Sequence, residues 1–152
     1  MISIVRESRD SESLIQLVRL LDAYLEGVYG AVQAQYTPFN ALASIDGAVI
    51  AYDEKLPIGC GCYKRFADDT AEIKRMFVRP EHRCSGVAAL VLAEVENWAL
   101  EAGYSRAVLE TGIKQPEAIR FYQKSGYARI ENYGQYVGME NSLCMAKLLV
   151  AK

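Results

Sequence analysis

The run Arg83-Cys84-Ser85-Gly86-Val87-Ala88 carries the most suggestive chemistry in this chain. It follows an apolar, strand-like run, Ile73-Lys74-Arg75-Met76-Phe77-Val78, that stops at Arg79-Pro80. It opens a helical pattern in which Val87, Leu90, Val91, Val95, Trp98 and Ala102 are expected on one face. A strand, a small-residue loop and a helix in that order aim free backbone N–H groups and the positive end of a helix dipole at an anion. Gly86 tolerates backbone angles that other residues avoid and lets a ligand approach closely. Arg83 adds a permanent charge on a planar donor fork that suits phosphate. These residues predict a phosphate-bearing ligand. Lys74, Arg75, Arg79 and His82 crowd the same junction and are expected to form a funnel for a polyanion.

The elements that must position this loop can be read along the chain. Ile2–Val5 reads as a strand, and Ser11 or Ser13 as the cap of a helix burying Leu14, Leu17, Val18, Leu21 and Leu25. Gly27 and Gly30 punctuate the next stretch, and a second short helix is expected near Val28–Gln35. Ala48–Tyr52, Ile58–Arg65 and Ala71–Val78 read as an antiparallel meander. The long helix ends near Ala102-Gly103, a strand comes next at Ala107–Glu110, and Pro116 starts a helix over Glu117–Lys124. Tyr127–Glu131 and Leu143–Leu149 close the sheet. Strand–helix–strand–helix after a meander predicts an α/β mixed sheet with helices on both faces.

Composition sets the outer bounds. The chain has 152 residues, enough for one domain over 1–152 with a real core. A formal net charge of −2 argues against a general nucleic-acid or membrane-surface binder. The N-terminus lacks the basic-then-apolar build of a signal peptide, and no apolar run approaches the ~20 residues of a membrane span. Cys60, Cys62, Cys84 and Cys144 form no CxxC pair, and the lone His82 completes no zinc set, so no metal is expected. Free thiols and a cytoplasmic location are the expectation.

A second segment narrows the reading. Gln115-Pro116-Glu117-Ala118-Ile119-Arg120-Phe121-Tyr122-Gln123-Lys124-Ser125-Gly126-Tyr127 forms a short helix pattern ending in Phe-Tyr-x-Lys-x-Gly-aromatic. Together with Arg-x-x-Gly-x-Ala after a strand ending in Val-x-Pro, it resembles the GNAT superfamily of acetyl-CoA-dependent N-acetyltransferases. The resemblance implies a mostly antiparallel sheet of six to seven strands, splayed between the Ala71–Val78 and Ala107–Glu110 strands. It implies that backbone groups of Met76, Phe77 and Val78 hold the pantetheine arm. It implies that Arg83, Cys84, Ser85, Gly86, Val87 and Ala88 hold the phosphates, with Gln115, Ala118 and Tyr122 along the cofactor. Gln115 departs from the family's usual Asn, and Cys84-Ser85 replaces its usual Gly and Lys, so those contacts are expected to differ. A thiol at a helix N-terminus beside Arg83 has a site for a lowered pKa, but the simpler reading of Cys84 is a backbone N–H donor.

Acetyl transfer to an amine requires loss of a proton from the amine, a stabilised oxyanion and a departing thiolate. By family position Tyr122 is the expected acid at the CoA sulfur. Glu72 is the expected base, with Glu110 and a water relay as rivals. The acceptor is expected to be a primary amine on a small molecule, such as an amino acid or antibiotic-like compound, or on a peptide. Its walls are sought among Tyr24, Tyr29, Tyr36, Pro38, Phe39, Tyr133, Gly134, Gln135, Tyr136 and Met139. The same aromatic residues read equally as core or as homodimer contacts. Two other functions compete. One is a non-catalytic acyl-CoA-sensing module, against which Tyr122 and Glu72 argue. The other is a phosphotransfer domain, for which no Gly-x-x-x-x-Gly-Lys-(Ser/Thr) loop exists.

Overall fold

The computed structural model describes residues 1–30 and 42–150. Seven strands, β1 (Ile2–Glu7), β2 (Gly47–Asp53), β3 (Leu56–Ala67), β4 (Thr70–Val78), β5 (Arg106–Gly112), β6 (Ala128–Ile130) and β7 (Ser142–Leu148), form one sheet in the order β1-β2-β3-β4-β5-β7-β6. Only β4 and β5 pair in parallel; the other neighbours are antiparallel. Helix α1 (Glu12–Tyr29) covers one face, and α2 (Val87–Glu101) the other, with α3 (Pro116–Lys124) between β5 and β6. The α/β mixed-sheet architecture expected from the sequence is the one observed.

Local chemistry explains the helix ends. Ser11 caps α1 by accepting the Leu14 N–H at 3.2 Å. The helix runs through Gly27 and stops at Gly30, whose φ is 61°. Leu14, Leu17, Val18 and Leu21 form its buried stripe. Val28 and Tyr29 thus belong to α1, and the remainder of the helix sought over 28–35 lies outside the described residues. Helix α2 is turned relative to the expected face. It buries Val87, Val91, Leu92, Val95 and Ala99, while Leu90 is 51% exposed. The apolar run is nearly continuous there, so periodicity alone had little power to fix the rotation.

Glycines in β3 let α2 come close. A Cβ on Gly61 would lie 2.4 Å from Met76 Sδ, 3.0 Å from Val91 and 3.3 Å from Val95. The larger core lies on this side, between α2 and the sheet. The smaller core joins α1 to Cys60, Cys62 and Phe77 on the opposite face, so the two cysteines share a face as expected.

Two irregularities in β4 create the site. First, β4 pairs with β5 only from Thr70–Ile73 against Arg106–Leu109. Beyond Ile73 the strands part, while β5 continues its pairing with β7 through Gly112. Second, the β3–β4 register shifts. Cys62 faces Lys74 and Cys60 faces Phe77, so two residues, Arg75 and Met76, oppose Gly61 alone. Arg75 is the bulge residue, with a φ of 58°. Met76 keeps the α2 face opposite Gly61, and the guanidinium of Arg75 reaches Asp22 of α1. Simple alternation would have sent Arg75 to the α2 face; the bulge sets it beside Lys74 on the α1 face.

Candidate active site

The parting of β4 and β5 opens a cleft walled by Leu21, Leu25 and Tyr29 of α1. Its floor and far wall bring together Glu72, Lys74, Met76, Glu110, Tyr122 and Tyr136. Gln115 and Ala118 from the start of α3 line it as well. The strand before the Arg83–Ala88 loop and the Gln115–Tyr127 segment therefore converge on one place, although Phe77 and Val78 turn their side chains into the two cores.

At one end of β4 the loop has the geometry of an anion site. Gly86 sits at φ 86° as the N-cap of α2, with no side chain capping the first turn. An added Cβ at Gly86 would meet nothing within 4 Å. Cys84 is exposed and left-handed at φ 62°, an uncommon angle for a residue with a side chain. Ser85 donates its hydroxyl to the His82 carbonyl. The N–H groups of Val87 and Ala88 open the helix, although the Val87 side chain is core.

The expected funnel of cations takes another form. Lys74 and Arg75 are buried on the α1 face rather than ringing the loop. Arg75 donates to Asp22 Oδ1 at 2.6 Å and Arg79 to the Pro57 carbonyl at 2.7 Å. Arg83 donates to the Val78 carbonyl at 2.9 Å, and its guanidinium stacks over Tyr24 and Phe77 at 5.1 and 5.6 Å. His82 faces Asp53 at 3.5 Å. Each basic side chain has a partner within the protein. Tyr24, expected as an acceptor wall, is the platform for Arg83 instead.

The two candidate carboxylates differ in their surroundings. Glu72 is 2% exposed. Its Oε2 accepts the Tyr133 hydroxyl at 2.6 Å, and its Oε1 lies 3.8 Å from Lys74 Nζ. Glu110 accepts the Ser142 hydroxyl at 2.7 Å through one oxygen and makes no other hydrogen bond among the described residues. Burial pushes the Glu110 carboxyl up to about 7, and the charge of Glu72 adds to that. The Ser142 hydrogen bond and Lys74 pull it the other way. Lys74 is lowered by burial, against the opposing pull of Glu72.

Tyr122 is buried, and its phenol is raised by burial first and by the charge of Glu110 second. Its hydroxyl makes no hydrogen bond among the described residues and is not sealed off. Phe121 and Tyr127 brace the ring, with centroids 5.1 and 5.8 Å away. Tyr127 is itself anchored by its hydroxyl on Glu96 Oε2 at 2.8 Å, which explains an aromatic at the end of that segment. Gln115 turns inward, and its Oε1 accepts the Gly112 N–H at 3.3 Å. Tyr136 lines the cleft, with Met139 packed near it; Tyr36, Pro38 and Phe39 lie outside the described residues.

Three contributors were not singled out by sequence, and a fourth, Lys74, was expected only as part of the cation funnel at the loop. Asp22 anchors the bulge, Ser142 holds Glu110, Lys74 enters the cleft, and Asn141 lines it. Only the Lys74 alternation with Glu72 was a readable signal, since both sit two apart on one strand.

With this geometry, comparison with known proteins is decisive. The family model described as the acetyltransferase (GNAT) family matches residues 14–127. The chain belongs to the GNAT acetyltransferase family. An IAA acetyltransferase of Azospirillum brasilense is 35% identical over 97% of this chain and 98% of its own length. A Klebsiella pneumoniae structure described as an acyl-CoA N-acyltransferase superposes with a TM-score of 0.83 at 26% identity, covering 99% of each chain. The PaiA N-acetyltransferase of Thermoplasma acidophilum, solved with coenzyme A, shares the fold with a TM-score of 0.73 at 19% identity, over 97% of this chain and 99% of that one. The reading of this GNAT member as an acyl-transferring enzyme stands, and the general reaction of its family is acetyl transfer from acetyl-CoA.

Proposed function

We propose that this GNAT member moves the acetyl group of acetyl-CoA to a primary amine of a small acceptor, by direct attack in a ternary complex. The observation that carries the reading is the parting of β4 from β5 beyond Ile73, beside the uncapped start of α2. The α2 end offers N–H groups and a helix dipole to the phosphates. The unpaired edge of Met76–Val78 offers backbone groups to the pantetheine amides, as an added strand would. The thioester then lies near Met76, where a backbone N–H polarises its carbonyl.

The roles come from the surroundings. Glu110, with a pKa near neutrality and one oxygen open to the cleft, is the base that takes the amine proton as nitrogen attacks the carbonyl carbon. Glu72 accepts the Tyr133 hydroxyl through one oxygen and faces the Lys74 ammonium at 3.8 Å with the other, so it serves to hold Tyr133 and to balance the charge of Lys74. Collapse of the tetrahedral adduct breaks the C–S bond and expels a thiolate. Tyr122 is raised well above an ordinary thiol, so full proton transfer from it is uphill. Its role is a hydrogen bond to the forming thiolate, which takes its proton from solvent. A sensing module would need neither Glu110 nor Tyr122 on the cleft. The buried free thiols Cys60, Cys62 and Cys144 support a reducing, cytoplasmic setting.

Release of free CoA thiol in the presence of an amine panel tests the reaction. Tyr122→Phe is the sharpest variant, because Phe keeps the braced ring and removes only the donor. Loss of a hydrogen bond to a charged group predicts a fall in kcat of roughly ten- to a hundredfold, with acetyl-CoA affinity unchanged. Wild-type turnover in that variant would leave Tyr122 a packing residue.

A further inference from the structure

Lys74 is a buried cation on the cleft with few hydrogen bonds. Its side chain is 4% exposed, so water does not saturate it. An ammonium carries three donors. Lys74 Nζ makes one hydrogen bond among the described residues, a long one of 3.2 Å to the Tyr136 hydroxyl. The nearest carboxylate oxygen, Glu72 Oε1, stands at 3.8 Å, beyond hydrogen-bond reach. The other Glu72 oxygen is already taken by Tyr133. The adjacent Arg75, which lines the cleft too, is held by Asp22 at 2.6 Å. Buried donors are normally paired, and leaving an ammonium short of acceptors is costly. Among the described residues, Lys74 therefore keeps donors that it can offer to a ligand in the cleft it lines.

The rest of the cleft describes what such a ligand carries. Glu110, the base to which an attacking amine must come, lines the same cleft as Lys74. Leu21, Leu25 and Tyr29 form an apolar wall from α1. Cation, carboxylate and apolar wall together complement a zwitterion with an apolar side group. We infer that the acceptor is an amino acid with an apolar side chain or a close analogue, its carboxylate received by Lys74 Nζ and its amine presented to Glu110. This deepens the acetyl-transfer reading and rests on it. Lys74 is then the residue that sets acceptor specificity, by a charge-assisted hydrogen bond from a buried ammonium.

Matched acceptors test it: leucine against leucinamide and isoamylamine, and phenylalanine against phenylalaninamide, each scored by CoA thiol release. The amide's amine is less basic, so intrinsic reactivity at neutral pH favours it. The wild-type protein is expected to prefer the free acids by at least about tenfold in kcat/KM, mostly through KM. Lys74→Met should erase that preference, and Lys74→Arg should keep part of it. Calorimetry should give unchanged acetyl-CoA affinity in both. Amides used as well as acids by the wild type, or no turnover of any free acid, would overturn the inference even if Lys74→Met does not fold. A preference that survives in folded Lys74→Met would overturn it too. Absence of acetyl-CoA binding or of thiol release with every amine would instead remove the acetyl-transfer reading, and this inference with it.

Discussion

Glu110 shows how one residue's chemistry is set by neighbours far away in sequence. A carboxyl ordinarily titrates near 4.5, and here it is raised to about 7, chiefly by burial. The sequence puts Glu72 first and Glu110 as its rival, each on a strand next to the expected gap. What separates them is Tyr133 on one and Ser142 on the other, both from the last third of the chain. No local pattern announces such partners. Glu110→Gln should change two measurements. Loss of a positioned base predicts a drop in kcat/KM of roughly 10²- to 10⁴-fold, with loss of the wild type's acid limb near pH 7. Stability should also respond, with a definite sign. The folded state binds this proton more tightly than the unfolded chain, so this group's contribution falls as pH rises from 4.5 through 7. Thermal melts at pH 5 and pH 8 should therefore show the variant gaining on wild type at the higher pH. A variant that gains equally at both would mean that Glu110 titrates normally.

At the scale of elements, the loop and the succession of strands and helices along the chain were legible, and the bulge was not. Gly86 between a strand-ending Val-x-Pro and an apolar helix is a local signal, because turn chemistry is local. A bulge at Arg75 is a matter of register against β3, and register depends on which faces two strands must bury. The rotation of α2 was hidden for a related reason, its apolar surface being too broad to point. The glycines of β3 had a purpose that the sequence did not disclose, since α2 packs over Gly61. Gly61→Ala would press on Met76 and Val91, so overpacking should cost about 1–3 kcal/mol. It should also displace Met76, whose backbone the proposed binding mode sets against the thioester. A calorimetric melt and the KM for acetyl-CoA check both parts; an unchanged melt would show that α2 yields without cost. Gly86→Asp addresses the loop. A side chain at φ 86° is strained, and a carboxylate would stand where phosphates should lie. The protein should fold and acetyl-CoA affinity should fall by at least a hundredfold. Unchanged affinity in calorimetry would place the phosphates elsewhere.

On the scale of the whole molecule, the question is how a protein of net charge −2 attracts a polyanion. The basic residues near the loop are tied to Asp22, Pro57, Val78 and Asp53 inside the fold. They brace α1, the bulge and the loop against one another rather than forming a free basic surface. Affinity must then come from directed contacts: helix N–H groups for the phosphates, and an unpaired strand edge for the pantetheine arm. That division makes a discriminating prediction. Acetyl-CoA engages both halves, whereas ATP carries phosphates without the amide arm and finds no cluster of carboxylates for its magnesium among the described residues. At about 100 times its Kd, acetyl-CoA should add roughly 2.7 kcal/mol. For a chain of this size that is a rise in Tm of about 5–10 °C. Mg-ATP at the same concentration should move Tm by a small fraction of that. Raising the salt should shrink the acetyl-CoA shift only modestly, because backbone dipoles and strand pairing are screened less than exposed ion pairs. A shift with Mg-ATP equal to that with acetyl-CoA would mean that the strand edge contributes nothing, and the splayed sheet would lose its role in binding.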